Sequence, residues 1–172
     1  MTQVLPIAAV VYAGHGAVDG VVAEFARGLQ RRGRQVRGLL QNDSPAGAGS
    51  MCGTVLVDLH SSERYRISQD LGSGSVSCRV DPGGLAIASI VLRRALAEDT
   101  DLVVVNRFGV LEATGGGFAA EMLALMEAER PLLAAVAEKH REHWLHFTGG
   151  AGVELPVEIQ ALESWFAGLG QR

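Results

Sequence analysis

Three short, almost purely apolar runs, Pro6–Tyr12, Leu102–Val105 and Pro131–Val136, constrain this chain more than any other feature. Each lacks the alternation of a half-solvated strand and is rich in Val, Ala, Ile or Leu. Such runs read as strands buried on both faces, and that requires a parallel sheet with a helical layer on each side. The intervening segments supply the helices. Val21, Val22, Phe25, Ala26 and Leu29 recur at helical spacing between Gly20 and Arg32, and Gly33 follows as a C-terminal cap. Asp81-Pro82-Gly83-Gly84 opens a second helix that runs to about Glu98, and further helices are predicted over Gly116–Glu129 and Glu138–Phe147. Gln35–Gln41 is another strand, and Thr54–Leu59 and Tyr65–Ser68 flank His60–Arg64 as a small hairpin. The expected architecture is one α/β domain over residues 1–172, with three layers, a mainly parallel central sheet and right-handed crossovers.

Bulk properties exclude several function classes. A formal charge of −4 argues against a nucleic-acid partner, which would demand a basic face. No apolar run approaches the roughly 18–20 residues of a membrane span, so no membrane insertion is expected. Cys52 and Cys78 are isolated thiols without a metal-ligand spacing, and Met1-Thr2-Gln3 has no basic leader region. A cytoplasmic protein with reduced cysteines and no bound metal is the expectation.

The turn Tyr12-Ala13-Gly14-His15-Gly16-Ala17-Val18-Asp19-Gly20 joins the first strand to the first helix, where a phosphate-binding loop would sit. A working loop of that kind pairs backbone N–H groups with a lysine on the β- and γ-phosphates and a hydroxyl on Mg²⁺. The only lysine in the chain is Lys139, and no Ser or Thr follows the glycines. Asp19 stands at the expected N-cap, where its carboxylate would satisfy first-turn N–H groups and repel an incoming phosphate. Gly14 and Gly16 then offer only their backbone to a ligand, and His15 between them is either a donor to an anion or simply solvated.

A second candidate site follows the strand at Leu102–Val105. Ligands of open α/β sheets bind outside the carboxyl ends of the strands, and Asn106 and Arg107 fall there. Asn106 stands where a hydrolase of this architecture would keep an acidic residue for Mg²⁺. Glu112-Ala113-Thr114-Gly115-Gly116-Gly117 follows just before a helix. The three glycines read either as an open nest of amides for an anion or as a hinge.

Ser68 to Arg79 is dense in hydroxyls and free amides and closes on an arginine. Ser68, Ser77, Cys78 and Arg79 join the donor set from it, against the alternative of a solvated loop. His140, His143 and His146 recur every three residues beside Trp144 and Phe147, and read as surface or partly buried side chains. The closing segment Pro156–Leu169 carries Ile159, Leu162, Trp165, Phe166 and Leu169 on an apolar face, either core or the contact surface of a homo-oligomer.

Two segments carry a family resemblance: Ile67-Ser68-Gln69-Asp70-Leu71-Gly72 with Cys78-Arg79-Val80-Asp81, and Asp101 to Gly117 with its Asn-Arg-Phe-Gly and Glu-Ala-Thr-Gly-Gly-Gly. They resemble a bacterial family of uncharacterised domains often encoded beside molybdate-uptake genes and distantly similar to the small P-loop nucleoside triphosphatases. The resemblance runs from Ile7 to about Pro156 and includes Phe147-Thr148-Gly149-Gly150. It implies a P-loop-like fold and a role in molybdenum or tungsten supply.

The resulting expectation is a non-hydrolysing protein that binds a small anionic ligand, such as molybdate, tungstate or a phosphorylated molecule. Arg79, Asn106, Arg107 and the amides of Gly115–Gly117 are the main donors, with Ser68, Ser77, Cys78 and Thr114 secondary. The rivals are a nucleoside triphosphatase drawing its cation from Arg107 or a neighbouring subunit, and a scaffold that acts by protein contact alone.

Overall fold

The computed structural model describes residues 4–14, 16–43, 53–69 and 79–170. In chain order the elements are β1 (Ile7–Tyr12), α1 (Ala17–Arg31), β2 (Val36–Asp43), β3 (Thr54–Asp58), β4 (Arg64–Arg66), β5 (Ser68–Gln69) and β6 (Arg79–Val80). They continue with α2 (Pro82–Ala97), β7 (Leu102–Phe108), α3 (Val110–Ala113), α4 (Ala119–Glu127) and β8 (Leu132–Ala137). A 3₁₀ turn (Glu138–His140), α5 (Arg141–Thr148), β9 (Val153–Leu155) and α6 (Ile159–Leu169) complete the chain.

Seven strands form one sheet in the order β4-β3-β2-β7-β8-β1-β9. The five from β2 to β9 are parallel, and β3 and β4 add an antiparallel edge. The apolar runs are its centre, as their composition required. Alternate residues of each run point to opposite layers. Ile7, Ala9, Val103 and Val105 enter one core with α2, α4 and Trp144 of α5. Ala8, Val10, Leu102 and Val104 enter the other with α1 and α6. The three-layer α/β expectation holds, and Leu162 of α6 is fully buried in the second core.

Local chemistry explains the main element boundaries. Asp81 caps α2 by accepting the Gly83 N–H at 3.0 Å, and Pro82 takes the first turn, where no N–H is needed. In the middle of β2, Gly38 has φ +120°, and a side chain there would run into the Val104 backbone of β7. This close approach admits only glycine. The hairpin around His60 is present as β3–β4. The helix expected from Gly116 begins at Ala119, because the glycines form the loop from α3. The helix expected from Glu138 opens as the 3₁₀ turn before α5. Residues 70–78, which hold most of the hydroxyl-rich run from Ser68 to Arg79, lie outside the described residues. No described helix is long and apolar enough to cross a membrane.

Candidate functional site

In the sheet, β8 lies between β1 and β7, so the turn after β1 and the end of β7 face each other across one carboxyl edge. The end of β7 turns polar at Asn106, which is 1% exposed, and at the half-buried Arg107. Both reach Asp19 of α1. Asn106 Nδ2 donates to Asp19 Oδ1 at 2.9 Å, and Arg107 Nη2 donates to Oδ2 at 2.7 Å. The Arg107 guanidinium also lies 5.3 Å from the centre of the Tyr12 ring at the end of β1, in cation–π range. The peptide joining Asn106 to Arg107 is cis.

This corrects the expected role of Asp19. The N-cap of α1 is Gly16, with no side-chain cap, and Asp19 is the third helical residue. Its carboxylate still sits in the positive first turn, yet it spends its hydrogen bonds on β7. The bond from Arg107 pairs two full charges in a part-buried setting, and the Asn106 amide takes the second oxygen. Gly14 and Gly16, at φ +77° and +100°, hold the turn in a conformation that side chains rarely adopt. His15 lies outside the described residues.

The glycine run is also corrected. Gly115 N–H donates to Glu112 O at 3.1 Å and Gly116 N–H to Leu111 O at 2.8 Å, closing the end of α3. A carboxylate does guard the start of α4. Glu112 accepts the N–H of Phe118 at 3.2 Å and that of Gly109 at 3.0 Å. Gly117 admits it, since a side chain there would strike the Glu112 carboxylate. Burial pushes the Glu112 carboxyl above the usual range, and the N–H donors that hold its charged form only partly offset this.

The remaining candidates scatter. Thr114 Oγ1 is spent on Val110 O and Leu111 O at 2.9 and 3.1 Å. Ser68 is buried on β5, and its Oγ accepts the Thr54 N–H at 3.2 Å. Arg79 is on β6, paired opposite Gln69. Ser77 and Cys78 lie outside the described residues. The structure therefore brings together Asn106, Arg107 and Asp19 beside the Gly14–Gly16 turn. It sets Thr114 and the glycine run into a separate loop held by Glu112.

Tyr12 and Glu112 were not singled out from the sequence. Tyr12 was readable as the polar-tipped end of a buried strand; Glu112 needed the chain to fold back from Gly109 to Phe118. Lys139, distant in sequence from the glycine turn, follows β8 and stands exposed at the same carboxyl edge. His140 ends the 3₁₀ turn, 5.8 Å ring to ring from His143. Among the described residues no group of three or more His, Cys, Asp or Glu could hold a metal ion.

Comparison with known proteins agrees with this architecture. Over 99% of its length the chain matches the solution structure of a human cancer-related nucleoside triphosphatase, covering 96% of that chain at 17% identity with a TM-score of 0.65. The likeness is one of fold. A curated relative, the molybdenum import ATP-binding protein ModC 2 of Bradyrhizobium diazoefficiens, is 38% identical over 166 residues. That match takes in 96% of this chain but only 18% of the relative's length. The model of one family, described as a protein of unknown function (DUF2478), matches residues 7–165. The chain belongs to that DUF2478 family.

Proposed function

We propose that the chain binds a small oxyanion at the carboxyl edge of its sheet and does not hydrolyse nucleotides. One observation carries this reading. Two donors from β7, Asn106 Nδ2 and Arg107 Nη2, converge on the two oxygens of a single carboxylate, Asp19, at 2.9 and 2.7 Å. Asp19 takes the place that two oxygens of a phosphate, molybdate or tungstate would occupy. The crevice at strand ends is where α/β sheets take their ligands. The arriving anion displaces the Asp19 carboxylate from Arg107 and Asn106, and Arg107 keeps its position over Tyr12. The amides of Gly14 and Gly16 are the proposed backbone donors.

Three features support binding without hydrolysis. The turn after β1 has no lysine, the end of β7 offers an amide where Mg²⁺ would need a carboxylate, and Asp19 opposes a triphosphate. Molybdate or tungstate is the preferred anion because the 38% identical relative is named for molybdenum import. The same name includes ATP binding, and this favours a second reading in which a nucleotide is held or cleaved.

A thermal-shift panel separates the readings. Molybdate, tungstate, sulfate, phosphate and ATP are tested with and without Mg²⁺. An anion at about 100 times its Kd adds ~2.7 kcal/mol, which a melt resolves. The expected result is an oxyanion shift that Arg107→Ala abolishes and Asp19→Ala does not weaken. Stabilisation by Mg-ATP with release of phosphate would overturn the proposal, and silence toward every anion would favour a protein acting by contact alone.

A further inference from the structure

The large apolar side chains left exposed are concentrated on one layer of the molecule. Among the described residues, Val80, Ile87, Ile90, Val110, Leu111 and Leu123 are each 41–64% exposed, and all belong to β6, α2, α3 or α4. Neither α1 nor α6, on the opposite layer, shows one. The composition of α2 is the origin. Its inner face, Ala88, Val91, Leu92 and Ala95, is spent on the first core, yet Ile87 and Ile90 extend the apolar character to the outer face. A helix that is apolar all round is one that is covered on every side. Ile159, Leu162, Trp165 and Phe166 of α6, by contrast, pack in the second core, so α6 offers no such face.

These side chains form one surface with a definite relief. A groove of about 380 Å³ runs between α2 and the α3–α4 connection, lined by Val80, Leu85, Ala86, Leu111 and Gly117. Ile87 and Ile90 stand beside it on α2, and α4, which packs against α2, adds Leu123. Six such side chains, each about half exposed, present on the order of 500 Å² of apolar surface, at the upper end of the roughly 300–600 Å² that monomers carry. That is enough for the apolar core of a stable dimer interface, which buries about 800 Å² per partner. The rim carries both signs. Arg93 and Arg94 follow Ile90 on α2, Glu127 lies one turn beyond Leu123 on α4, and all three are exposed. Arg93 keeps 70% of its side chain exposed although its guanidinium reaches Glu121 at 3.2 Å. A face that pairs with itself about a two-fold axis must offer its own complement, ridge beside groove and cation beside anion. This one offers both.

We propose that the α2–α4 face pairs with the same face of a second copy of this chain. Ile87 and Ile90 of each copy seat against the groove of the other, and the charged rims meet around them. This inference goes beyond the oxyanion reading and stands without it, since Asp19, Asn106 and Arg107 take no part.

Sedimentation equilibrium of the full chain over a micromolar dilution series tests it. The expected wild-type result is a reversible dimer, reaching twice the mass of the chain at the highest concentration. Ile87→Asp and Ile90→Asp should each raise the dimer dissociation constant at least roughly a hundredfold, because each substitution enters the interface twice. Both side chains are exposed in the single copy, so neither substitution disturbs a core. Val4→Asp alters a comparably exposed side chain ahead of β1, outside this face, and should leave the constant unchanged. A wild-type monomer at every concentration would overturn the proposal and leave the face to a different protein. A dimer indifferent to both isoleucine substitutions, or one weakened equally by Val4→Asp, would overturn it as well.

Discussion

Asp19 is the residue on which the carboxyl edge turns. Its partners lie 87 and 88 positions away in the chain, so a local reading could only assign the carboxylate to its own helix. Its side chain is 19% exposed and that of Arg107 26%, so the pair is screened less than a surface ion pair. Removing either partner should cost about 1–3 kcal/mol, and a double-mutant cycle of Asp19→Ala with Arg107→Ala should give a coupling above ~0.5 kcal/mol. Additive losses in urea unfolding would mean that the bond contributes nothing. Glu112 makes a second residue-scale prediction. Its folded pKa is raised, so its contribution to stability is complete below about pH 4.3 and is lost as pH rises through the raised value. The stability difference between wild type and Glu112→Gln should therefore move in favour of the variant from about pH 4 to about pH 7. A difference that stays flat across that range would show that burial of Glu112 carries no ionisation penalty.

At the scale of elements, legibility followed the length and purity of the pattern. The runs that became β1, β7 and β8 were readable because strands buried on both faces leave no polar residue to confuse the period. Val153–Leu155 was missed as β9, since three residues carry no period and its order comes from pairing with Ala8 to Val10 of β1. The start of α4 was misplaced because glycines that looked like an open helix terminus belong to a loop tied down by Glu112. Gly38 shows what an element can demand of one position. With φ +120° and the Val104 backbone where a Cβ would go, Gly38→Ala must separate β2 from β7. The expected cost exceeds ~3 kcal/mol, outside the usual range for a point substitution, and should appear as loss of soluble protein or a collapsed denaturant midpoint. A near-native midpoint would refute the close approach.

Across the whole molecule, two cores clamp a sheet whose carboxyl edge gathers residues from widely separated parts of the chain. Strand order brings the turn after β1, the end of β7 and the residues after β8 side by side. The sequence showed that Asn106 and Arg107 would reach that edge, because both directly follow an apolar strand run. It did not show what they would meet there, because strand order is not written in local periodicity. The same topology accounts for the fold likeness to a nucleoside triphosphatase without requiring its chemistry. At this edge an internal carboxylate, Asp19, is bound by Asn106 and Arg107, the donors we propose for an oxyanion. Calorimetric titration of tungstate into wild type, Asp19→Ala and Arg107→Ala tests this most directly. Asp19→Ala should bind at least as tightly as wild type and Arg107→Ala not at all, whereas undiminished binding by Arg107→Ala would refute an oxyanion site at this edge.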